Sequence, residues 1–200
     1  MKRRGGVWNS YAAMIPLRIL AALLPRRISL FLAIHPWARF LIDFMYLSRW
    51  ENRWVTIDGI IPSAPFIILG KHEGHWEMGA AALAQKVPLT VVVEHHPDLK
   101  LMTFREKVRN RFGIETIVDR GSVAPKILSA LRRGRAVALL VDRDPKALRG
   151  ATVLARRVGC PILQGAVPME PGGQYRLVVS TAPPQLFECG LKETLIWWST

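Results

Sequence analysis

Cysteine is nearly absent from this sequence. The 200 residues contain only Cys160 and Cys189, and the two are not arranged as a CxxC motif. A disulfide-stapled scaffold or a zinc ribbon needs more cysteines at closer spacing, so the count argues against both and agrees with a reducing compartment. We predict that the two thiols are small core side chains.

Acidic residues are also scarce. Asp and Glu number 15 against 28 Lys and Arg, which gives a formal net charge of +13 at pH 7. A surface this basic attracts an anionic partner, either nucleic acid or the head groups of an anionic membrane. The basic residues are spread over several predicted helices and no nucleic-acid-binding motif is present, so the sequence predicts no nucleic-acid partner.

Long uninterrupted apolar runs are missing as well. Residues 1–50 are rich in Leu, Ile, Phe and Trp, but prolines and charged residues such as Pro16, Arg18 and Arg39 keep every run below the ~18 residues of a spanning helix. Basic side chains beside large apolar ones are typical of a segment that lies in the membrane interface. We predict a membrane-associating helical segment at 1–50 and an α/β domain at 51–200; two ordinary core helices are the alternative for the first fifty residues.

Helical and strand-like patterns alternate after residue 50. This order is typical of an α/β fold with a largely parallel central sheet flanked by helices. The central strand is predicted in "RAVALLVD" (135–142), whose six consecutive apolar residues indicate that both faces are covered. Ser122 is predicted to be the N-cap of the third helix. The predicted strands are 54–60, 65–70, 89–96, 115–119, 135–142, 160–169 and 175–181, and the predicted helices are 77–86, 98–112, 122–134 and 150–159.

Polar side chains follow four of the predicted strands. In open α/β sheets, ligands bind outside the carboxyl ends of the strands. A histidine takes up a proton near neutral pH, a carboxylate orients it, and an arginine binds phosphate or a developing oxyanion. The pattern therefore predicts an acyl-transfer or hydrolytic site at this edge of the sheet. The residues concerned are Lys71, His72, His95, His96, Asp119, Arg120, Asp142, Arg143 and Asp144.

The segment "GKHEGHWEMG" (70–79) is the densest group of polar residues on this edge. A zinc metalloprotease helix needs HExxH, and here His75 follows His72 one position too soon, so a proton-transfer site is favoured over a metal site. A polar loop of purely structural role is the other alternative. Neither a GxSxG nucleophile elbow nor a GxGxxG nucleotide fingerprint is present.

The spacing of His72 and Glu77 in "HEGHWE" resembles the HxxxxE box of the bacterial lipid A late acyltransferase family, the lauroyl and myristoyl transferases. The segments "PLTVVVEHHPDLKL", "VRNRFG", "IVDRG", "ALRRGRAVALLVDRD" and "GATVLARRVGCPIL" follow in the family's order, so the resemblance covers about residues 55–180. It implies an enzyme at the cytoplasmic face of the inner membrane. Such an enzyme moves a fatty acyl chain from acyl carrier protein or coenzyme A to a hydroxyl of a glycolipid, without a further cofactor or metal.

The resemblance also implies roles for individual residues. His72 would be the general base for the acceptor hydroxyl, and Glu77 would orient its imidazole. Arg109 and Arg120 would bind an anion, either a phosphate of the lipid or the carrier's phosphopantetheine.

The acidic pair after the central strand matches the family as well. Asp142 and Asp144 would pair with the two arginines or position the acceptor.

Two departures from the family pattern leave an alternative open. His75 stands where the family usually has Asn, and only "DPKALR" connects the acidic pair to the helix at 150–159, where the family carries a segment with Phe-Phe-Gly. The alternative is a shortened, catalytically inactive homologue that binds lipid or a partner acyltransferase. A further open question is the basic stripe of Lys100, Lys107 and Arg111 on the second predicted helix. It is either a solvated face or a dock for acidic acyl carrier protein.

Overall fold

The computed structural model describes residues 55–72, 75–142, 145–170 and 174–182, together with Ile19 and Leu23. The rest of the predicted membrane segment at 1–50, Asp144 and Cys189 lie outside the described residues. Ile19 and Leu23 are helical and exposed. Of the helices described, none combines the length and the apolar character needed to cross a membrane.

Within the described residues from 55 onward, seven strands and four helices lie close to where the sequence predicts them. The predicted α/β class is confirmed for this part of the chain. The strands are β1 (Val55–Asp58), β2 (Ile67–Gly70), β3 (Leu89–Glu94), β4 (Glu115–Asp119), β5 (Ala136–Leu140), β6 (Ile162–Ala166) and β7 (Tyr175–Thr181), and the helices are α1 (Trp76–Ala84), α2 (Leu99–Arg111), α3 (Ala124–Arg132) and α4 (Pro145–Val158).

The strands form one sheet in the order β1-β7-β6-β2-β5-β3-β4. From β6 to β4 every neighbouring pair is parallel. The β6–β7 pair is antiparallel, and β1 runs parallel to β7, so these two strands run opposite to the other five. The carboxyl ends of β2, β5, β3 and β4 therefore meet at one edge, as the sequence predicts.

Side-chain alternation along Phe66 and the first three residues of β2 divides the core in two. Phe66 and Ile68 belong to the cluster that includes residues of α1 and α2, whereas Ile67 and Leu69 belong to the cluster that includes residues of α3 and α4. Successive strand residues point to opposite faces, so a fully apolar strand is what two covering helix layers require. The fold is a three-layer α/β/α arrangement with the sheet in the middle.

Two local predictions at helix starts were wrong. Helix α4 begins at Pro145, five residues before the predicted start, because proline suits the first turn of a helix and Leu148 already packs in the core. Helix α3 has Val123 as its N-cap, with no side-chain cap bond, so Ser122 does not fill that role. Cys160 packs at the edge of the second core, and burial raises the pKa of its thiol.

Candidate active site

His72 and Asp142 come together because β2 and β5 are neighbours in the sheet. Gly70, the last residue of β2, is paired with Leu140, the last residue of β5. His72 and Asp142 each follow two residues later. The Oδ1 atom of Asp142 accepts a hydrogen bond from the backbone N–H of His72 at 3.0 Å and lies 2.6 Å from the Nδ1 atom of its ring. One carboxylate oxygen thus fixes both the backbone and the ring of His72.

This contact determines which ring nitrogen is available to a substrate. A carboxylate oxygen only accepts, so Nδ1 carries the proton and Nε2 is left as the acceptor. The side chains of His72 and Asp142 are 25% and 20% exposed, which leaves the pair within reach of a substrate. Partial burial opposes ionisation of Asp142, but its hydrogen bonds and charge interaction with His72 outweigh burial and lower the pKa of the carboxyl.

The lowered pKa of Asp142 predicts a pH-dependent contribution to stability. The contribution is present in full above about pH 4, the ordinary pKa of Asp in an unfolded chain, and is lost as pH falls through the folded-state pKa. We expect Asp142→Asn to reduce the free energy of unfolding by about 1–2 kcal/mol at pH 7, and by less at pH 3. Urea denaturation at both pH values measures this. Asp58→Asn is the control, because the side chain of Asp58 is 57% exposed. A loss of stability in Asp142→Asn that does not change with pH would contradict the prediction.

Glu77 has a different partner from the one predicted. It lies in the first turn of α1, and its Oε2 accepts a hydrogen bond from the Nε of Arg109 on α2 at 3.1 Å, while an Nη of the same guanidinium donates to Oε1. The prediction that Glu77 orients the imidazole of His72 was wrong, because Asp142 holds the ring. Arg109 is 6% exposed and is held in this bidentate ion pair with Glu77.

Arg105 is a member of this cluster that the sequence did not single out as a site residue. Burial lowers the pKa of its guanidinium, the charge of Glu77 raises it, and the charge of Arg109 lowers it, with a net lowering. Two guanidiniums therefore lie beside one carboxylate. Arg105 precedes Arg109 by one helical turn, and this spacing is the signal that marks it in the sequence.

The remaining predicted anion-binding residue lies elsewhere. Arg120 is exposed and follows β4, which is the last strand of the sheet and is separated from β5 by β3. At ~4.8 Å per strand, this displaces it by roughly 10 Å from the strand that carries Asp142. The carboxylate of Asp119 accepts the backbone N–H of Gly121 at 2.9 Å. Asp144 lies outside the described residues.

The histidines after β3 contribute to the helix that follows. His95 is exposed, and the Nδ1 of His96 accepts the backbone N–H of Asp98 at 3.1 Å. Asp98 in turn caps α2 by accepting the N–H of Leu101 at 3.0 Å. These contacts give His96 a structural role at the start of α2.

His75 packs in the fold beside β7. Its backbone N–H donates to the carbonyl of Val167 at 3.3 Å, and its ring lies 4.6 Å from the ring of Tyr175 at a tilt of 41°. Within the described part of the chain, no group of three His, Cys, Asp or Glu side chains is arranged to hold a metal ion.

Two glycines make room for Trp76 at the start of α1. A Cβ atom on Gly70 would lie 2.1 Å from the indole, and one on Gly165 would lie 2.8 Å from it. These distances are shorter than any normal contact between carbon atoms. The indole thus sits directly on the ends of β2 and β6, which fixes α1 and Glu77 over the edge of the sheet.

We expect Gly70→Ala to lower the free energy of unfolding by about 1–3 kcal/mol, since the new methyl group and the indole cannot occupy the same space. Chemical denaturation measures the change. Gly150→Ala is the matched control, because a Cβ there meets nothing within 4 Å, and alanine inside a helix is expected to stabilise slightly. A Gly70→Ala protein as stable as the wild type would show that the packing of Trp76 on the strand ends is not needed.

A cavity of about 710 Å³ lies between β1, the loop after it and the end of α1. Gln85 and Lys86 line it together with apolar residues such as Ile57 and Val87. Gln85, Lys86 and Val87 follow the C-terminal end of α1, whereas Glu77 lies in its first turn, so the cavity is separate from the edge that holds His72.

The fold and this edge define a class of protein: an α/β protein with a histidine–aspartate pair at the carboxyl edge of a mostly parallel sheet. Residues 62–153 match the family model described as bacterial lipid A biosynthesis acyltransferase. The resemblance carried by the sequence is therefore confirmed over this range, which contains His72, Glu77, Arg109 and Asp142. No curated protein shows significant similarity to the chain.

Proposed function

We propose that this protein is a membrane-associated O-acyltransferase. It moves a fatty acyl chain from an acyl thioester, of acyl carrier protein or coenzyme A, to a hydroxyl of a glycolipid such as a lipid A precursor. The observation that carries the proposal is the 2.6 Å contact between His72 and Asp142 at the sheet edge, within the part of the chain that matches the acyltransferase family. We propose that the reaction takes place at the cytoplasmic face of the inner membrane.

The proposed mechanism is general-base catalysis by His72. As the acceptor hydroxyl attacks the thioester carbonyl, its proton passes to Nε2 of His72, and the carboxylate of Asp142 stabilises the imidazolium that forms. The tetrahedral intermediate then collapses, the C–S bond breaks, and the imidazolium returns the proton to the leaving thiolate. The products are an ester and a free thiol. Since the thioester is already activated, no acyl-enzyme intermediate is required.

Anion binding completes the proposed site. Arg105 and Arg109 place two mostly buried guanidiniums beside the carboxylate of Glu77, and a guanidinium is the side chain best suited to bind a phosphate. A phosphate of the acceptor lipid or of the phosphopantetheine arm has the required charge. Arg120 remains a proposed contact for the same phosphates, and Asp144 remains proposed to pair with an arginine or to position the acceptor.

A second candidate function has one observation in its favour. Helix α4 begins only three residues after Asp142, where the family has an additional segment, so this edge of the site is shorter than in typical members. The alternative is a non-catalytic homologue that binds lipid or a partner acyltransferase.

An acyl-transfer assay distinguishes the two functions. Membranes containing the full chain are incubated with a labelled acyl carrier protein thioester, or with labelled acyl coenzyme A, and a mixture of glycolipid acceptors. Label in a glycolipid supports the enzyme, and comparison of the two donors identifies the carrier. If the protein is folded and membrane-bound but transfers no label from either donor, the non-catalytic function is supported.

A further inference from the structure

The outer surface of α4 differs from the other helical surfaces. One side of the helix is buried, with Leu148, Ala151 and Leu154 in the second core. At 100° per residue, the exposed residues form a stripe about 100° wide on the opposite side. We call this the α4 stripe, and it consists of Lys146, Arg149, Val153, Arg156 and Arg157.

The α4 stripe has no negative charge of its own. Neither α3 nor α4 contains an Asp or Glu, and within the described residues no ion pair involves Arg149, Arg156 or Arg157. The outer side of α2, by contrast, carries the acidic Glu106 beside its basic residues. Like charges on one helix face repel each other, so a negatively charged surface placed on the α4 stripe relieves this repulsion.

The centre of the α4 stripe is apolar. Val153 is 64% exposed and lies one helical turn before Arg156 and Arg157 and one turn after Arg149. Nucleic acid or an acidic protein would neutralise the arginines but would gain little from Val153. An anionic bilayer offers negative charge at its surface and an apolar region just below it, which suits basic residues around an exposed aliphatic one.

We propose that the α4 stripe binds the anionic head-group surface of a lipid bilayer, with Val153 inserted among the head groups. Lys146, the first residue of the α4 stripe, follows Asp142 by four residues, or at most ~14 Å of extended chain, so a bilayer on this stripe reaches close to the His72 edge. The inference rests on the proposed function only in taking the acceptor to be a membrane lipid. Its test measures vesicle binding without an acyl donor, so a loss of vesicle binding and a loss of acyl transfer are separate results.

The first experiment compares two triple variants of the full chain on vesicles. Arg149→Gln, Arg156→Gln, Arg157→Gln removes three charges from the α4 stripe, and Lys100→Gln, Lys107→Gln, Arg111→Gln removes three from α2, on the other side of the sheet. At roughly fivefold per basic residue, we expect the first variant to bind phosphatidylglycerol-containing vesicles about 100-fold more weakly than wild type. The α2 variant should change much less, and binding should weaken with salt. Equal losses in both variants would overturn the proposal, because net charge alone would then explain binding.

The second experiment measures contact with the bilayer at position 153 alone. Its result is therefore informative even when another segment holds the protein on the vesicle. Val153→Cys is labelled with an environment-sensitive fluorophore in a Cys160→Ser, Cys189→Ser background, and Lys107→Cys in that background is the matched control. We expect a blue shift on anionic vesicles at position 153 only. A label at 153 that stays in water on vesicles would overturn the proposal. So would a shift that appears with duplex DNA or an acidic protein but not with vesicles.

Discussion

Replacing His72 with alanine is expected to lower the rate of acyl transfer by about 10² to 10⁴-fold, the usual loss when a general base is removed. The imidazole is partly exposed, belongs to neither core cluster, and has Asp142 as its side-chain partner. The fold and the membrane attachment should therefore survive the substitution. The rate is measured as labelled acyl chain entering glycolipid at a saturating concentration of thioester donor.

His95→Ala is the matched control for this experiment. His95 is an exposed histidine at the same edge, after β3, and it is expected to be dispensable for transfer. Equal loss of rate in both variants would indicate that the edge as a whole is disturbed. A His72→Ala protein that transfers acyl chains within threefold of the wild-type rate would rule out His72 as the general base.

Glu77→Gln is expected to destabilise the protein by about 3 kcal/mol, because removal of one partner of a buried ion pair leaves the other charge uncompensated. Here the effect is reinforced, since Arg109 is 6% exposed and Arg105 places a second guanidinium beside the same carboxylate. In a chain of this length, such a loss lowers the melting temperature by roughly 6–12 °C. Thermal unfolding followed by circular dichroism measures it.

The exposed ion pair of Glu115 and Arg133 supplies the control for Glu77. Their side chains are 40% and 50% exposed, so Glu115→Gln is expected to cost less than about 1 kcal/mol. The double variant Glu77→Gln, Arg109→Met removes both partners of the buried pair and should recover part of the lost stability. An unchanged melting temperature in Glu77→Gln would show that the pair does not stabilise the fold. Because Glu77 variants are expected to melt at a lower temperature, their acyl-transfer activity is to be measured at temperatures where they are folded.

The sequence predicted the layers of the fold because hydrophobic spacing is a local property. The apolar run of "RAVALLVD" indicated a strand covered on both faces, and it became β5, while Leu101 and Val108 on α2 are buried at the spacing predicted for one helical face. The rule that ligands bind at the carboxyl ends of parallel strands then placed His72 and Asp142 on the same edge.

Hydrophobic spacing does not predict which side chains pair with each other at the site. Glu77 was assigned to His72 because the two residues match the HxxxxE box of the family. Asp142 is 70 residues from His72 and becomes its neighbour only through strand order. Nothing in the spacing of β2 and β5 shows that they are adjacent. The same limit applies to Arg120, whose strand lies at the end of the sheet.

The dependence of the His72–Asp142 contact on strand pairing has a consequence for folding kinetics. His72 and Asp142 come into contact only when β2 and β5 align with Gly70 opposite Leu140. Contacts between residues so far apart in sequence must first overcome the entropy of closing a long loop, and they slow folding. A slip of one residue between the strands would turn successive side chains to the wrong faces. Formation of the contact therefore reports correct alignment of the sheet, and we expect catalytic competence to appear in refolding no earlier than native β2–β5 pairing.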